Sequence, residues 1–139
     1  MSVERTFSMI KPDAVAAGHT GGILTLLQKS GFKILAMRMT RLTEPQAQAF
    51  YAVHKERPFY SGLVKFMTEG PIVVLALERE NAVKQLRETM GSTNPANAAE
   101  GTVRKLFATD IERNAIHGSD AAETAEAELK FFFTTADLL

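Results

Sequence analysis

The chain has 139 residues, close to the commonest size of one compact domain and enough to bury roughly two thirds of its unfolded surface. Sixteen Lys and Arg balance sixteen Asp and Glu, which excludes a general electrostatic attraction to nucleic acid or anionic membrane and leaves any anion site to local groups. The absence of cysteine excludes disulfides, thiolate metal centres and thiol catalysis. The opening MSVERTFSMIKPD lacks the roughly 7–15-residue apolar core of a secretory signal, and no apolar run approaches the roughly 18 residues of a membrane span. A single domain over residues 1–139, cytoplasmic and soluble, is expected.

Phe7 and Met9 alternate with Thr6 and Ser8 ahead of Lys11-Pro12-Asp13, predicting a short strand ended by a proline turn. A loop at 18–22 then leads into Ile23, Leu26 and Leu27 at helical spacing, stopped by Gly31. From Phe32 to Met39 the apolar residues change face, as in an edge or bent strand. Thr43-Glu44-Pro45-Gln46 holds the residues of a capping box and predicts a short helix to about His54. A further short helix is expected over 59–67, between breakers at Arg57-Pro58 and Gly70-Pro71.

Residues 72–77 are continuously apolar, the pattern of a strand covered on both faces, and Asn81 starts a helix with Val83, Leu86 and Met90 in one stripe and Arg87 at its border. Three breakers, Gly91, Pro95 and Gly101, mark 91–101 as a polar loop, and 103–107 add one or two helical turns. Ala115-Ile116 enters His117; after Gly118, Asp120 and Glu123 predict a second capping box for a helix to about Leu129, and Phe131-Phe132-Phe133 predicts a packed C-terminus. The order suits an α+β fold of the ferredoxin-like βαββαβ kind, a four-stranded antiparallel sheet covered by helices. A parallel doubly wound sheet is the alternative.

Of the three histidines, His19, His54 and His117, any one taken alone is a solvated or structural group by default. His117 differs in setting, because it joins an apolar strand to a helix whose first N–H groups can hold an anion, with Gly118 allowing close approach. Neutral imidazole accepts a phosphoryl group without a dedicated base but needs orientation. Glu128 lies 11 residues on, and whether it reaches depends on how its helix folds back; spacing alone equally allows a solvated carboxylate. Lys11, Arg87 and Arg104, with Thr93 and Asn94 in the polar loop, are candidate phosphate partners, though each alone reads as a surface group. The sequence has neither GxxxxGK[ST] nor a strand-linked GxGxxG, so a P-loop is excluded and a dinucleotide fold is unsupported.

Four stretches in order, RTFSMIKPDAV, RPFYSGLVKFM-TEGP, MGSTNPANAAEGTVR and NAIHGSD, resemble the nucleoside diphosphate kinases, with coverage from about Glu4 to Phe133. The resemblance implies a ping-pong reaction in which a nucleoside triphosphate phosphorylates His117 and a nucleoside diphosphate collects the phosphate. It implies that Glu128 bonds the other imidazole nitrogen and that Ser119 contacts Glu128. Arg87, Thr93 and Arg104 match phosphate ligands, His54 and Tyr51 the lining of the phosphate end, and Lys11 and Asn114 the ribose and sugar-phosphate end. Phe59 matches the aromatic on which the base stacks, with Ile111 opposite; stacking reads a π-face, so broad base acceptance is expected.

The resemblance also implies Mg²⁺ bound mainly through substrate phosphates, with no protein ligand assigned; Asp120 is tempting, but a capping role is preferred. It implies a homo-oligomer, a tetramer or hexamer built from dimers, for which a sheet edge or the tail at 134–139 offers contacts. Departures are local: Val53 before His54 where an acidic residue is common, Tyr60 for phenylalanine, and Ser61-Gly62. Two rival readings are a ferredoxin-like nucleotide-binding module without turnover and a nucleic-acid binder, the second disfavoured by zero net charge.

Overall fold

The computed structural model describes residues 2–138. Four strands, β1 (Val3–Ile10), β2 (Lys33–Thr40), β3 (Ile72–Glu80) and β4 (Ile116–Gly118), form one antiparallel sheet in the order β2-β3-β1-β4. This is the ferredoxin-like α+β arrangement expected. The six apolar residues that open β3 are all buried, because β1 and β2 flank it and helices cover both faces. The change of face read in β2 is a register shift against β3 between Ile34 and Ala36, on an edge strand.

Strand alternation divides the core in two. Ile10, Val73, Leu75, Leu77 and Ile116 pack on one face with α2 (Thr20–Lys29), α5 (Ala82–Met90) and α6 (Val103–Phe107). Phe7, Met9, Ile72, Val74 and Ala76 pack on the other with α3 (Glu44–Phe50), α4 (Tyr60–Met67) and α7 (Ala122–Phe132). Fully buried side chains such as Leu75 and Phe7 each contribute about 1.5–3 kcal/mol relative to exposure. His117 follows Ile116, so the period of two turns it to the second face, under α7.

Several local expectations change. The residues after Lys11 form a five-residue helix, α1 (Pro12–Ala16), because proline fits its first position. Helix α2 begins at Thr20, inside the expected loop, and takes in Gly21 and Gly22; a Cβ at Gly22 would sit 2.9 Å from the Phe107 ring, so close packing on α6 favours glycine there. The Thr43–Gln46 capping box forms, but α3 ends at Phe50 and a 3₁₀ turn, Ala52–His54, follows.

The second capping box is not that of Asp120 and Glu123. Ala121 takes the cap position, and the Thr124 hydroxyl accepts its N–H at 3.0 Å while donating to the Asp120 carboxylate at 2.9 Å. Helix α7 then continues to Phe132, three residues past the expected end. Leu138, in a short 3₁₀ turn, packs against the second core; Leu139, also part of the tail expectation, lies outside the described residues.

Candidate active site

Strand β4 is only three residues long, yet its pairing places Met9 opposite His117 and fixes the imidazole between core and solvent. Phe50 meets the ring edge-on at a centroid distance of 5.5 Å, with Phe7 at 5.9 Å and Tyr51 at 6.5 Å. Helix α7 doubles back over β1 because Ala125 and Leu129 are buried, and this carries Glu128 to the histidine. Glu128 Oε1 lies 2.8 Å from His117 Nε2 and accepts the Ser119 hydroxyl at 2.7 Å. A carboxylate only accepts, so the pairing favours the tautomer with the proton on Nε2, which leaves the Nδ1 lone pair free.

The backbone before the histidine is strained. Ala115 has φ +73°, and the Ile116 N–H donates to the Asn114 carbonyl at 2.9 Å, closing a γ-turn that costs of order 1–3 kcal/mol. Neighbours hold nearly every polar group of this turn. Lys11 N–H donates to the Ala115 carbonyl at 2.9 Å, Lys11 Nζ to Asn114 Oδ1 at 2.8 Å, and the Ala115 N–H to Asp13 Oδ2 at 3.1 Å. Ser8 Oγ donates to the His117 carbonyl at 2.8 Å.

Arg104 lies behind the wall of the site, where it donates to the carbonyls of Gly91 at 3.0 Å, Ile116 at 2.8 Å and Asn114 at 3.3 Å. Burial pulls its pKa down to about 10, which leaves it charged at neutral pH. Burial, together with the Arg104 charge, brings Lys11 down to about 8. Two cations under such strain favour an anionic occupant beside them. Arg87, at the end of α5, is exposed and donates to the Asp120 carbonyl at 3.1 Å.

Beside His117 opens a cavity of about 730 Å³, lined by Lys11, Tyr51, His54, Phe59, Thr93, Ile111, Asn114 and Glu128 among others. The structure thus gathers nine of the expected residues, His117 included, around one space. Arg87, Arg104 and Ser119 lie outside its wall. Phe59 and Ile111 are both more than half exposed and form an apolar mouth. At the inner end the Tyr51 hydroxyl is buried without a partner, and burial followed by the Glu128 charge pushes its pKa up, so it stays a donor. Among the described residues no group of three His, Asp or Glu side chains is arranged to hold a metal.

Sequence reasoning missed Phe50, Val53, Leu63, Glu112 and Thr124 in the lining, and Ser8 and Asp13 behind the turn. Phe50 sits next to Tyr51 at the end of an amphipathic helix, where it reads as core. Ser8 and Asp13 act on backbone groups more than 100 residues away, which no local pattern marks.

The nucleoside diphosphate kinase family model matches residues 4–138. A nucleoside diphosphate kinase of Methylobacterium sp. (strain 4-46) is 55% identical over 139 residues, covering 100% of this chain and 99% of that protein. The enzyme of Halorhodospira halophila is also 55% identical, over 99% of this chain and 98% of its own. The solved nucleoside diphosphate kinase of Aquifex aeolicus superposes with a TM-score of 0.97 at 43% identity, covering 99% of this chain and 100% of that one. The Halobacterium salinarum enzyme, solved in complex with CDP, gives 0.94 at 39% identity, covering 99% and 92%. With fold, length and most of the sequence shared in this way, the chain belongs to the nucleoside diphosphate kinase family of phosphotransferases.

Proposed function

We propose that His117 carries phosphate between two nucleotides that use the same cavity in turn. Nδ1 attacks the γ-phosphorus of a nucleoside triphosphate; the N–P bond forms, the bond from phosphorus to the β,γ-bridging oxygen breaks, and the diphosphate leaves with that oxygen. A second nucleoside diphosphate then attacks the phosphohistidine through a terminal β-phosphate oxygen, and the N–P bond breaks. The observation that carries this reading is the Glu128–His117 pair, which commits Nε2 and leaves Nδ1 as the nucleophile beside the cavity.

The other groups take roles that fit their positions. Lys11 and Asn114 meet the sugar-phosphate end, Thr93 and His54 the phosphates, and the Tyr51 hydroxyl donates to the transferred group. Arg104 and Arg87 supply positive charge, Arg104 from behind the wall and Arg87 after a side-chain movement away from Asp120. The base lies between Phe59 and Ile111, and a stacking contact of this kind accepts purines and pyrimidines alike.

The carboxylates of Asp120 and Glu112 line the cavity singly, a donor set that fits a Mg²⁺ held by nucleotide phosphates and waters rather than a protein cage. Asp120 would hold the ion through bridging waters rather than directly. When bound, the ion neutralises phosphate charge. A cytoplasmic homo-oligomer completes the reading. Met37 and Met39, both more than half exposed on edge strand β2, offer an apolar edge to a second copy, which a sizing measurement tests.

Incubation with γ-labelled ATP is expected to give acid-labile, base-stable label on His117 that GDP or CDP removes at comparable rates. His117→Ala is expected to take no label while still binding nucleotide. A wild-type protein that never becomes labelled overturns the covalent route, and a fully active His117→Ala overturns the residue.

A further inference from the structure

We infer that Asp13 is a positioning residue for phosphoryl transfer, holding the left-handed turn that aims His117; the inference rests on His117 being the nucleophile. Asp13 lies outside the cavity lining, although its charge acts on Lys11, which lines it. Its Oδ2 accepts the Ala115 N–H at 3.1 Å, while the Lys11 N–H, two residues earlier, donates to the Ala115 carbonyl at 2.9 Å. One short segment therefore grips both polar groups of the single residue whose φ is +73°. Ala115 is fully buried, so its N–H depends on a protein acceptor, and Asp13 supplies it.

An alanine in this conformation returns to negative φ when its partners are removed, and its neighbours turn with it. The residue two places on is His117. The second oxygen of Asp13 is buried without a partner, so the carboxylate bears a desolvation cost, which the nearby N–H groups of Ala14 and Ala115 offset. Asp13 also sits in the first turn of α1 and can serve that helix locally. The two roles separate at Ala115, because glycine adopts positive φ without the penalty and makes the acceptor dispensable only for the turn.

The test is a kinetic comparison of Asp13→Ala in the wild-type and Ala115→Gly backgrounds, with thermal melts and nucleotide KM for each. In the wild-type background kcat is expected to fall about 10- to 100-fold, far more than KM rises, as misplacement of a reacting group does. Asp13→Asn keeps an oxygen acceptor and is expected to restore kcat to within about threefold of wild type. In the Ala115→Gly background, removing Asp13 is expected to cost less than about threefold. Equal losses in the two backgrounds, or an Asp13→Ala enzyme within about twofold of wild type, overturn the inference. If Asp13→Ala does not fold, the Ala115→Gly background decides: failure to fold there as well assigns Asp13 to helix α1 and overturns the inference. Failure of the His117 reading shows separately, as absence of label on the wild-type histidine.

Discussion

The two ends of the cleft are built on opposite plans. At the inner end His117, Glu128, Ser119, Lys11 and Asn114 are tied to one another or to backbone groups; Asp13 and Arg104 hold the peptide units before the histidine and Ser8 the one after it. At the mouth, Phe59 and Ile111 project into solvent with no comparable restraint. On the proposed function the tied groups of the inner end orient the reacting histidine, whereas Phe59 and Ile111 offer a base apolar area. Restraint is thus concentrated where phosphate would be transferred, and exposed apolar area where the base would sit.

Substitutions at the two ends should fail in different ways. The largest effect after loss of His117 itself is expected at Glu128. Glu128→Ala frees the imidazole to rotate and exchange tautomers, lowering kcat by about 10- to 100-fold with little change in KM. A change confined to KM would place Glu128 on the binding side and erase the contrast. Phe59→Ala should do the reverse, raising KM by about tenfold through lost stacking while kcat holds. The rise should be similar for GTP and CTP; a strong base preference in the loss would show that the mouth reads more than a π-face.

The smallest effect is a pH dependence from Lys11. Its pKa of about 8 in the folded chain, against 10.5 for the free side chain, means that the free enzyme loses this charge as pH rises through about 8. Nucleotide KM is expected to rise about threefold between pH 7.5 and 9, with kcat less affected because bound phosphate restores the proton. A flat KM profile would remove Lys11 from the phosphate's surroundings. The sign for stability is opposite. Between about 8 and 10.5 only the unfolded chain keeps the proton, so this group favours folding increasingly as pH rises across that window.

The contrast also separates what sequence can show. Strand β3, α5 and the Thr43 capping box follow from periodicity and cap chemistry, which are local. Glu128 was ambiguous from spacing because its reach depends on α7 folding back over β1, a consequence of Ala125 and Leu129 packing on residues far away in the chain. Asp120 misled because Asp followed three residues later by Glu is a sound cap pattern, yet the Thr124 hydroxyl reaches both Ala121 N–H and the Asp120 carboxylate. Arg104 reads as an ordinary charged residue. Only the folded backbone brings three carbonyls to its guanidinium.

That guanidinium gives the active site a mutational footprint wider than its walls. By holding Gly91 to the same fork as Ile116, Arg104 links the loop after α5 to the strand that carries the histidine. Gly91 has φ +87°, and a Cβ there would lie 2.5 Å from the Thr102 hydroxyl oxygen. A side chain at this position strains the left-handed backbone and crowds Thr102, and any shift of the Gly91 carbonyl that Arg104 grips has a direct route to residue 116. A substitution at Gly91 is therefore expected to act on the strand that carries His117 although Gly91 lies outside the cavity lining.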